Sequence, residues 1–287
     1  MSKEIIIINS LAHDAKKAKR IFSKNTYVET KNQNDILPLI KKYVNKGFEH
    51  FIVCGGDGTI NNFINNLMFL NKKERKNIKI GIIPCGKAND LARELKIPLS
   101  IKNAYRLTKQ SNYKNIDLIQ VNSKYYITGG GFGLASEVIQ DINKPKNKLL
   151  KQVFKDLAYY FIVLKKIFIK YEGIKIKKKK EKMMFLVVNN QSFIGKRFKL
   201  TPSSLNNDNF FEICYIKKPN NSLTAFSIIN KITKRKHTTH KMCTIKKSKI
   251  LELELEKDSW FMADGELLEY NKKFLFKIKP KEVKILC

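Results

Sequence analysis

The sequence predicts an α/β layer built on a mostly parallel sheet, followed by a β-rich, sandwich-like second half. Two observations carry that prediction. Short β-branched runs alternate with amphipathic helical stretches through the first part of the chain, and from residue 116 onward strand-like segments dominate. A third observation bounds the size. The chain has 287 residues, 43% of them hydrophobic and 10% aromatic. At about 100–200 residues per domain, that is enough for two cores.

Taken in order, Ile5–Asn9 reads as a buried strand. Ala12–Phe22 reads as a lysine-rich helix with Ala15, Ala18 and Phe22 on one face, and residues 35–46 as a second helix with Ile36, Leu39, Ile40 and Val44 at helical spacing. Phe51–Cys54 is a strand that stops at Gly55-Gly56. A helix over Ile60–Leu70, a strand over Ile78–Pro84 and a helix over Asp90–Leu95 follow. The second half gives strands at Ile116–Val121, Tyr125–Thr128, Met183–Val188, Phe210–Ile216, Ile245–Leu255, 273–279 and 282–286. One helix interrupts them, Leu149–Ile169, with Val153, Leu157, Phe161, Leu164 and Phe168 at i, i+3 and i+4 steps. No internal repeat or long linker is evident.

Composition removes several classes. Recurrent apolar runs from Ile5 to Leu286 argue against disorder. Five cysteines (Cys54, Cys85, Cys214, Cys243, Cys287), odd in number and without a C-x-x-C pair, argue against a disulfide scaffold and for a reducing, cytoplasmic compartment. Ile5–Ile8 is too short for a signal-peptide core and has Glu4 ahead of it, so no targeting segment is expected. The apolar stretch Tyr159–Leu164 stops at Lys165-Lys166, far short of the ~20 residues that a spanning helix needs.

Charge is the least decisive feature. With 57 Lys+Arg against 25 Asp+Glu the formal net charge is +32, which invites a nucleic acid or an anionic membrane surface. Only six of the basic residues are Arg, at 20, 75, 93, 106, 197 and 235. Arg is the usual tool for bidentate recognition of bases and phosphates, so the lysine excess resembles compositional drift more than a nucleic-acid face.

The sharpest chemistry lies at Cys54-Gly55-Gly56-Asp57-Gly58-Thr59-Ile60-Asn61, where a strand runs into glycines around an acid and a helix follows. Glycines allow close backbone approach to a phosphate, and a helix N-terminus offers free N–H groups to an anion. Beside phosphates, a carboxylate such as Asp57 works mainly through a divalent cation. The plain alternative is a tight turn with Asp57 as helix cap. The segment Gly81-Ile82-Ile83-Pro84-Cys85-Gly86-Lys87-Ala88-Asn89-Asp90-Leu91-Ala92-Arg93 begins like a Walker A loop. It then fails, because Ala88 stands where Ser or Thr would hold Mg²⁺ and Gly81 falls inside a strand pattern.

Together these two segments resemble the diacylglycerol kinase catalytic domain superfamily, which includes bacterial diacylglycerol kinases and sphingosine kinases. The resemblance continues through Ile116-Asp117-Leu118, the glycine-rich Gly129–Val138, the series Asn189, Gly195, Pro202 and Asp208, and Met262-Ala263-Asp264-Gly265-Glu266. It implies an N-terminal α/β nucleotide domain like those of NAD kinases and phosphofructokinases, at 1–121 and completed by strands near 274–287. A β-sandwich-like lipid-binding domain would occupy 122–273. It also implies ATP-dependent, Mg²⁺-assisted phosphorylation of a lipid hydroxyl, diacylglycerol first. Phosphatidylglycerol, a sphingoid base or a polyprenol are the alternative acceptors.

By the same resemblance, Asn9, Gly55, Gly56, Asp57, Gly58, Thr59, Asn61, Gly86, Lys87, Asn89 and Asp90 would bind the nucleotide. Asp57, Asp90 and Asp117 would position Mg²⁺ through water. Asp264 would be the general base with Glu266 beside it, and Asp208 would mark a structural Mg²⁺ site. Three departures stand out: Asn9 is followed by Ser10-Leu11 rather than by Pro, Lys87 replaces a threonine, and Asn207-Asp208-Asn209 has lost one of two acids. The resemblance further implies a peripheral association with an anionic membrane, no specific nucleic acid, and a homodimer.

Other residues have plainer readings. Asp264-Gly265 is a strong hairpin-turn signal in its own right. His237 and His240 have metal-like spacing but no Cys or carboxylate cluster accompanies them, so they read as a structural or exposed pair. Trp260-Phe261 reads as core. The helix 149–169, with Tyr159, Tyr160 and Phe161, precedes Lys175, Lys177–Lys180 and Lys182; it is either a membrane-surface element or a core helix before a solvated hairpin. A basic, non-catalytic nucleic-acid-binding protein is the rival class, against which the absence of an aromatic-basic recognition motif speaks.

Overall fold

Residues 3–110, 112–142, 144, 162–163, 165–168, 171–177, 179–192 and 199–287 are described by the computed structural model of the chain. Gly195, Lys178 and most of the helix expected over 149–169, with its tyrosines, lie outside the described residues. The first half runs β1 (Lys3–Asn9), α1 (Ala15–Ile21), β2 (Tyr27–Thr30), α2 (Ile36–Asn45), β3 (Phe48–Gly55), α3 (Asp57–Leu67), α4 (Lys72–Arg75), β4 (Lys79–Pro84), α5 (Asp90–Glu94) and α6 (Ile101–Thr108). After it come β5 (Tyr113–Val121), β6 (Lys124–Tyr126), β7 (Gly129–Gly133), α7 (Leu134–Ile142), β8 (Ile174–Lys175), β9 (Lys182–Asn189) and β10 (Phe211–Lys217). The chain ends with α8 (Ser222–Thr233), β11 (Cys243–Ser248), β12 (Ile250–Ala263) and β13 (Glu266–Leu286).

The predicted class holds: a parallel α/β layer in the first half and antiparallel strands in the second. Ile5–Ile8 and Phe51–Cys54 are buried along their whole length, as interior parallel strands covered on both faces must be. Helix α1 packs with α6 and α2 with α3, which closes a core of Ile, Phe and Leu around β1, β3 and β4.

The two halves share one hydrogen-bonded sheet. Its order is β11-β10-β9-β7-β12-β13-β4-β3-β1-β2, with β5 beside β13, β6 beside β5 and β8 beside β9. Strand β13 makes the join. Its first part pairs antiparallel with β12 from Lys277↔Ile250 to Glu266↔Ala263, and its last residues run parallel to β4 from Lys284↔Lys79 to Leu286↔Gly81.

Two predicted strands are drawn differently. Residues 245–255 form two strands broken at Lys249, and the segments 273–279 and 282–286 are one long strand interrupted where its register against β5 shifts between Lys279 and Val283. At that irregularity Lys281 has φ 53°, a left-handed kink that lets the strand bend out of one partner's ladder into another's.

Two further cores lie in the second half. Phe132, Phe261, Phe274 and Phe276 stack around one another, with the Phe132 ring 4.7 Å from Phe274 and 4.9 Å from Phe261. Tyr126 joins them and satisfies its hydroxyl by donating to the Val188 carbonyl at 3.0 Å. Phe261 is thus core, while Trp260 beside it is half-buried against Tyr270. The third core lies between α8 and β9–β10, where Ile228, Ile229 and Ile232 cover Met184, Cys214 and Ile216.

Candidate active site

The C-terminal ends of β1, β3 and β4 bring the two glycine-rich segments together. Gly55 ends β3, and a side chain there would run into Thr59 on the first turn of α3, its Cβ 2.4 Å from that of Thr59. Thr59 in turn accepts a hydrogen bond from the Asn9 amide at 2.8 Å, at the end of β1. Gly56 and Gly86 meet backbone to backbone: a Cβ on Gly86 would fall 2.4 Å from the Gly56 Cα. Gly86 must therefore be glycine for the loops to touch, and a side chain at Gly56 would crowd the Gly86 Cα at 3.0 Å. Asn89 fixes the second loop. It sits at φ 54°, a left-handed position that asparagine tolerates, accepts from the Gly86 N–H at 3.0 Å and donates to the Gly86 carbonyl at 2.8 Å. Lys87 stands exposed at the loop tip.

Asp57 opens α3 and reaches across to α5. Its Oδ1 accepts from the Leu91 N–H at 3.2 Å, and the N–H groups of Asp90 and Asn89 also point at it. Burial pushes its pKa up; these N–H donors pull the other way, and the nearby Asp264 charge adds to the rise.

Asp264 lies in the turn between β12 and β13. With Ala263 opposite Glu266, φ 49° at Asp264 and φ 84° at Gly265, this is a two-residue hairpin turn with both central residues left-handed. The turn reading holds, and the same Asp points its carboxylate inward and is only 9% exposed. One oxygen accepts from the N–H of Thr128 at 2.9 Å and from its hydroxyl; the other accepts from the Ile127 N–H at 3.1 Å and from the Asn61 amide. Glu266 extends over α3, and a Cβ on Gly58 would lie 2.6 Å from its Oε1. Its side chain remains accessible, yet local burial of the carboxyl and the Asp264 charge raise its pKa.

The residues expected at the site thus separate into two groups. Asn9, Gly55–Thr59, Asn61, Gly86, Asn89, Asp90, Asp264 and Glu266 form one contiguous set. Asp117 belongs elsewhere: fully buried on β5, its carboxylate accepts from the N–H of Asn209 at 2.7 Å and of Lys281 at 2.8 Å. It ties the 206–209 loop to the kink of β13 and carries no contact to Asp57 or Asp90 among the described residues. Asp208 faces a cation already, the Lys247 ammonium at 2.7 Å, which Glu212 shares at 3.4 Å. That donor set does not fit a structural Mg²⁺, since the lysine supplies the neutralising charge.

Thr128, Asn65 and Asn190 are site residues that sequence reasoning missed. Asn65 exchanges hydrogen bonds with the backbone of Tyr125, accepting at 2.9 Å and donating at 2.8 Å, so that α3 holds the strand leading to Thr128. Asn190 donates to the Asp117 and Ile127 carbonyls. Only Thr128 carried a signal, its place directly before Gly129-Gly130-Gly131. A separate cleft of about 370 Å³ opens in the second half between α7 and the β12–β13 hairpin. Its wall holds Glu137 and Asp141, each 2.9 Å from Lys166, and includes neither Asp57 nor Asp264.

Comparison with known proteins bears directly on this arrangement. The diacylglycerol kinase catalytic domain family matches residues 7–121, and the YegS C-terminal NAD kinase beta sandwich-like domain family matches residues 133–287. The chain belongs to the family that the YegS C-terminal NAD kinase beta sandwich-like domain defines, with a match to the diacylglycerol kinase catalytic domain ahead of it. The diacylglycerol kinase of Bacillus subtilis (strain 168) is 34% identical over 182 residues, 60% of this chain and 56% of that protein. That of Staphylococcus carnosus (strain TM300) is 27% identical over 235 residues, 79% of this chain and 72% of that protein. The crystal structure of a diacylglycerol kinase from Bacillus anthracis str. Sterne shares the fold: TM-score 0.74 at 21% identity, over 99% of this chain and 96% of that one. Family membership and fold thus agree with the resemblance carried by the glycine-rich and Asp-Gly-Glu motifs.

Proposed function

We propose that the chain is an ATP-dependent lipid kinase that transfers the γ-phosphate of ATP to a lipid hydroxyl, with diacylglycerol as acceptor and phosphatidic acid as product. The observation that carries this reading is the Asp264 carboxylate, buried and held on both oxygens beside the paired glycine loops. Residues 1–121 with 274–287 would bind the nucleotide, and 122–273 the lipid. The Gly55–Thr59 and Gly86–Asn89 loops supply close-approach backbone for phosphates. Asp264 takes the proton from the acceptor hydroxyl as its oxygen bonds to the γ-phosphorus and the bond to the ADP oxygen breaks. Thr128, Ile127 and Asn61 keep that carboxylate from rotating away.

Asp57, Asp90 and Glu266 offer hard oxygen donors, and Asp57 and Glu266 each feel the Asp264 charge, which together with burial raises their pKa values and which a divalent cation would offset. Mg²⁺ held by Asp57 and Asp90 would neutralise phosphate charge during transfer.

At the level of the cell, the reading is a protein that works from the cytoplasmic side on lipid in an anionic bilayer. No helix of the described residues is long and apolar enough to cross a membrane. The start of α8 lies against Ile167, where Ser222 bonds the Ile167 carbonyl at 3.0 Å, and next to this contact Phe168 and Leu223 are 58% and 77% exposed. Such side chains suit shallow insertion at an interface.

The test is a labelled-ATP assay against a panel of lipid alcohols in mixed micelles. Label should enter phosphatidic acid when diacylglycerol is present. Replacing Asp264 by Asn should cut turnover by about 10²–10⁴-fold, the usual worth of a general base, with ATP binding retained. Label in another lipid alcohol alone would reassign the acceptor, and substantial activity in Asp264→Asn would remove the base assignment.

A further inference from the structure

Behind the third core, side chains from β10, β11 and the connection before β11 converge. Cys214 lies on β10, Cys243 begins β11, and His237 sits in the connection between α8 and β11. The two sulfurs and a His237 ring nitrogen all lie within 4.8 Å of one another, with Cys214 and His237 fully buried and Cys243 half-buried. The register explains the cysteines. Cys243 is opposite Ile216 and Cys214 opposite Ile245, so the two are diagonal neighbours on one face of an antiparallel pair. Their sulfurs are 3.7 Å apart. A disulfide needs about 2.05 Å, whereas a tetrahedral ion with Zn–S bonds of about 2.3 Å sets its sulfurs about 3.8 Å apart.

The histidine supplies the second, independent observation. Its Nε2 is 3.0 Å from the Leu200 carbonyl, which fixes the proton on that nitrogen. The other nitrogen, Nδ1, is buried with no hydrogen-bond partner. A buried acceptor left without a donor is costly, and a ring whose far N–H is held by a carbonyl is how metal-ligating histidines are oriented. His240, by contrast, takes the Met242 N–H on its Nδ1 at 3.3 Å and stands outside the cluster. The expectation that no cysteine accompanies His237 fails: Cys243 follows closely in sequence, and Cys214 is brought in from β10, on the other side of α8, by the strand pairing.

We propose that Cys214, Cys243 and His237 Nδ1 form a zinc site, unrelated to the kinase chemistry, that pins the segment after α8 to the edge of the sheet. Two thiolates and a neutral imidazole suit Zn²⁺ and balance its charge. The half-buried side of Cys243 leaves the fourth position to water. Because β11 is a terminal strand of the sheet, the ion would fasten an element otherwise held by one neighbour.

The experiment uses the full chain, stripped of metal under reducing conditions and titrated with Co²⁺ and then Zn²⁺. The expected result is roughly one tight equivalent per chain. A sulfur-to-cobalt charge-transfer band with strong tetrahedral visible bands should appear with Co²⁺, and Zn²⁺ should displace it. Cys243→Ser should weaken binding by more than about 100-fold, beyond what loss of a merely orienting neighbour costs. A weak octahedral spectrum, the same spectrum in Cys243→Ser, or a dithiol that oxidises to a disulfide and never binds metal would overturn the proposal. Should the serine variant fail to fold, X-ray absorption of the zinc-loaded wild-type chain decides: two sulfur neighbours at about 2.3 Å support the site, and only nitrogen and oxygen neighbours refute it.

Discussion

Asp57 pays in stability for its position. Its pKa is raised by burial and by Asp264, so folding disfavours its charged form. The sign follows from proton linkage. Between its ordinary value of 3.8 and the raised folded value, the native state binds more protons than the unfolded one, so stability falls as pH rises through that window. Above it the full penalty applies; below pH 3.8 it vanishes. Asp57→Asn keeps an acceptor for the Leu91 N–H but carries no charge. At pH 7 it should therefore raise the melting temperature by a few degrees while abolishing kinase turnover. Near pH 3 the gain in melting temperature should disappear. A variant less stable than wild type at pH 7 would show that Asp57 is needed structurally. At this scale the sequence was legible where several polar residues share one short motif, as Asp57 and Asn61 do in one segment and Asp264 and Glu266 in another. It was opaque where a side chain is recruited across the chain. Thr128 binds a carboxylate 136 positions away, and its place before the glycine run does not say which acid it meets.

The glycine loops act as one element made of two. A side chain at Gly86 would meet the Gly56 backbone at 2.4 Å, and backbone cannot step aside as a flexible side chain can. Gly86→Ala should therefore separate the loops. We expect a loss of about 1–3 kcal/mol in unfolding free energy, typical of forced overpacking, together with weaker nucleotide binding by fluorescence titration. An unchanged unfolding midpoint would mean that the contact is dispensable. Helix and strand positions near these loops were readable because periodicity and glycine breaks coincide there. Periodicity failed at β13, which reads as two strands but is one. Its two parts serve different ladders, and the kink at Lys281, held by Asp117, is set by tertiary contact rather than by local propensity. The buried acid that resembled a metal-positioning group is, in this fold, the clasp of that kink.

For the whole molecule the open question is whether +32 charges act at a place or only in sum. The structure pairs some of them. Lys175 is 2.7 Å from Glu256, and Lys177 is 2.9 Å from Glu254 on the adjoining strand. Such exposed pairs are worth about 0–1 kcal/mol and can be given up at an anionic surface. Lys179 lies over the Tyr215 ring at 4.7 Å, and Lys180 is exposed. These lysines belong to the same half of the molecule as exposed Phe168 and Leu223, so charge and apolar side chains could act together. Each lysine near anionic lipid contributes roughly 1 kcal/mol. Replacing Lys177–Lys180 by Gln should thus reduce partition onto anionic vesicles by about 100-fold, allowing for the paired Lys177, and leave neutral vesicles unaffected. The matched control removes equal charge from exposed lysines of the first half, Lys16, Lys17, Lys41 and Lys73. If that control reduces binding as much, the lysine excess acts only as a diffuse field, screened beyond about 8 Å at physiological salt, and the second half has no membrane-facing patch. If only the first substitution matters, the anionic surface is met at the edge carrying β8 and α8, and the remaining lysines are bystanders.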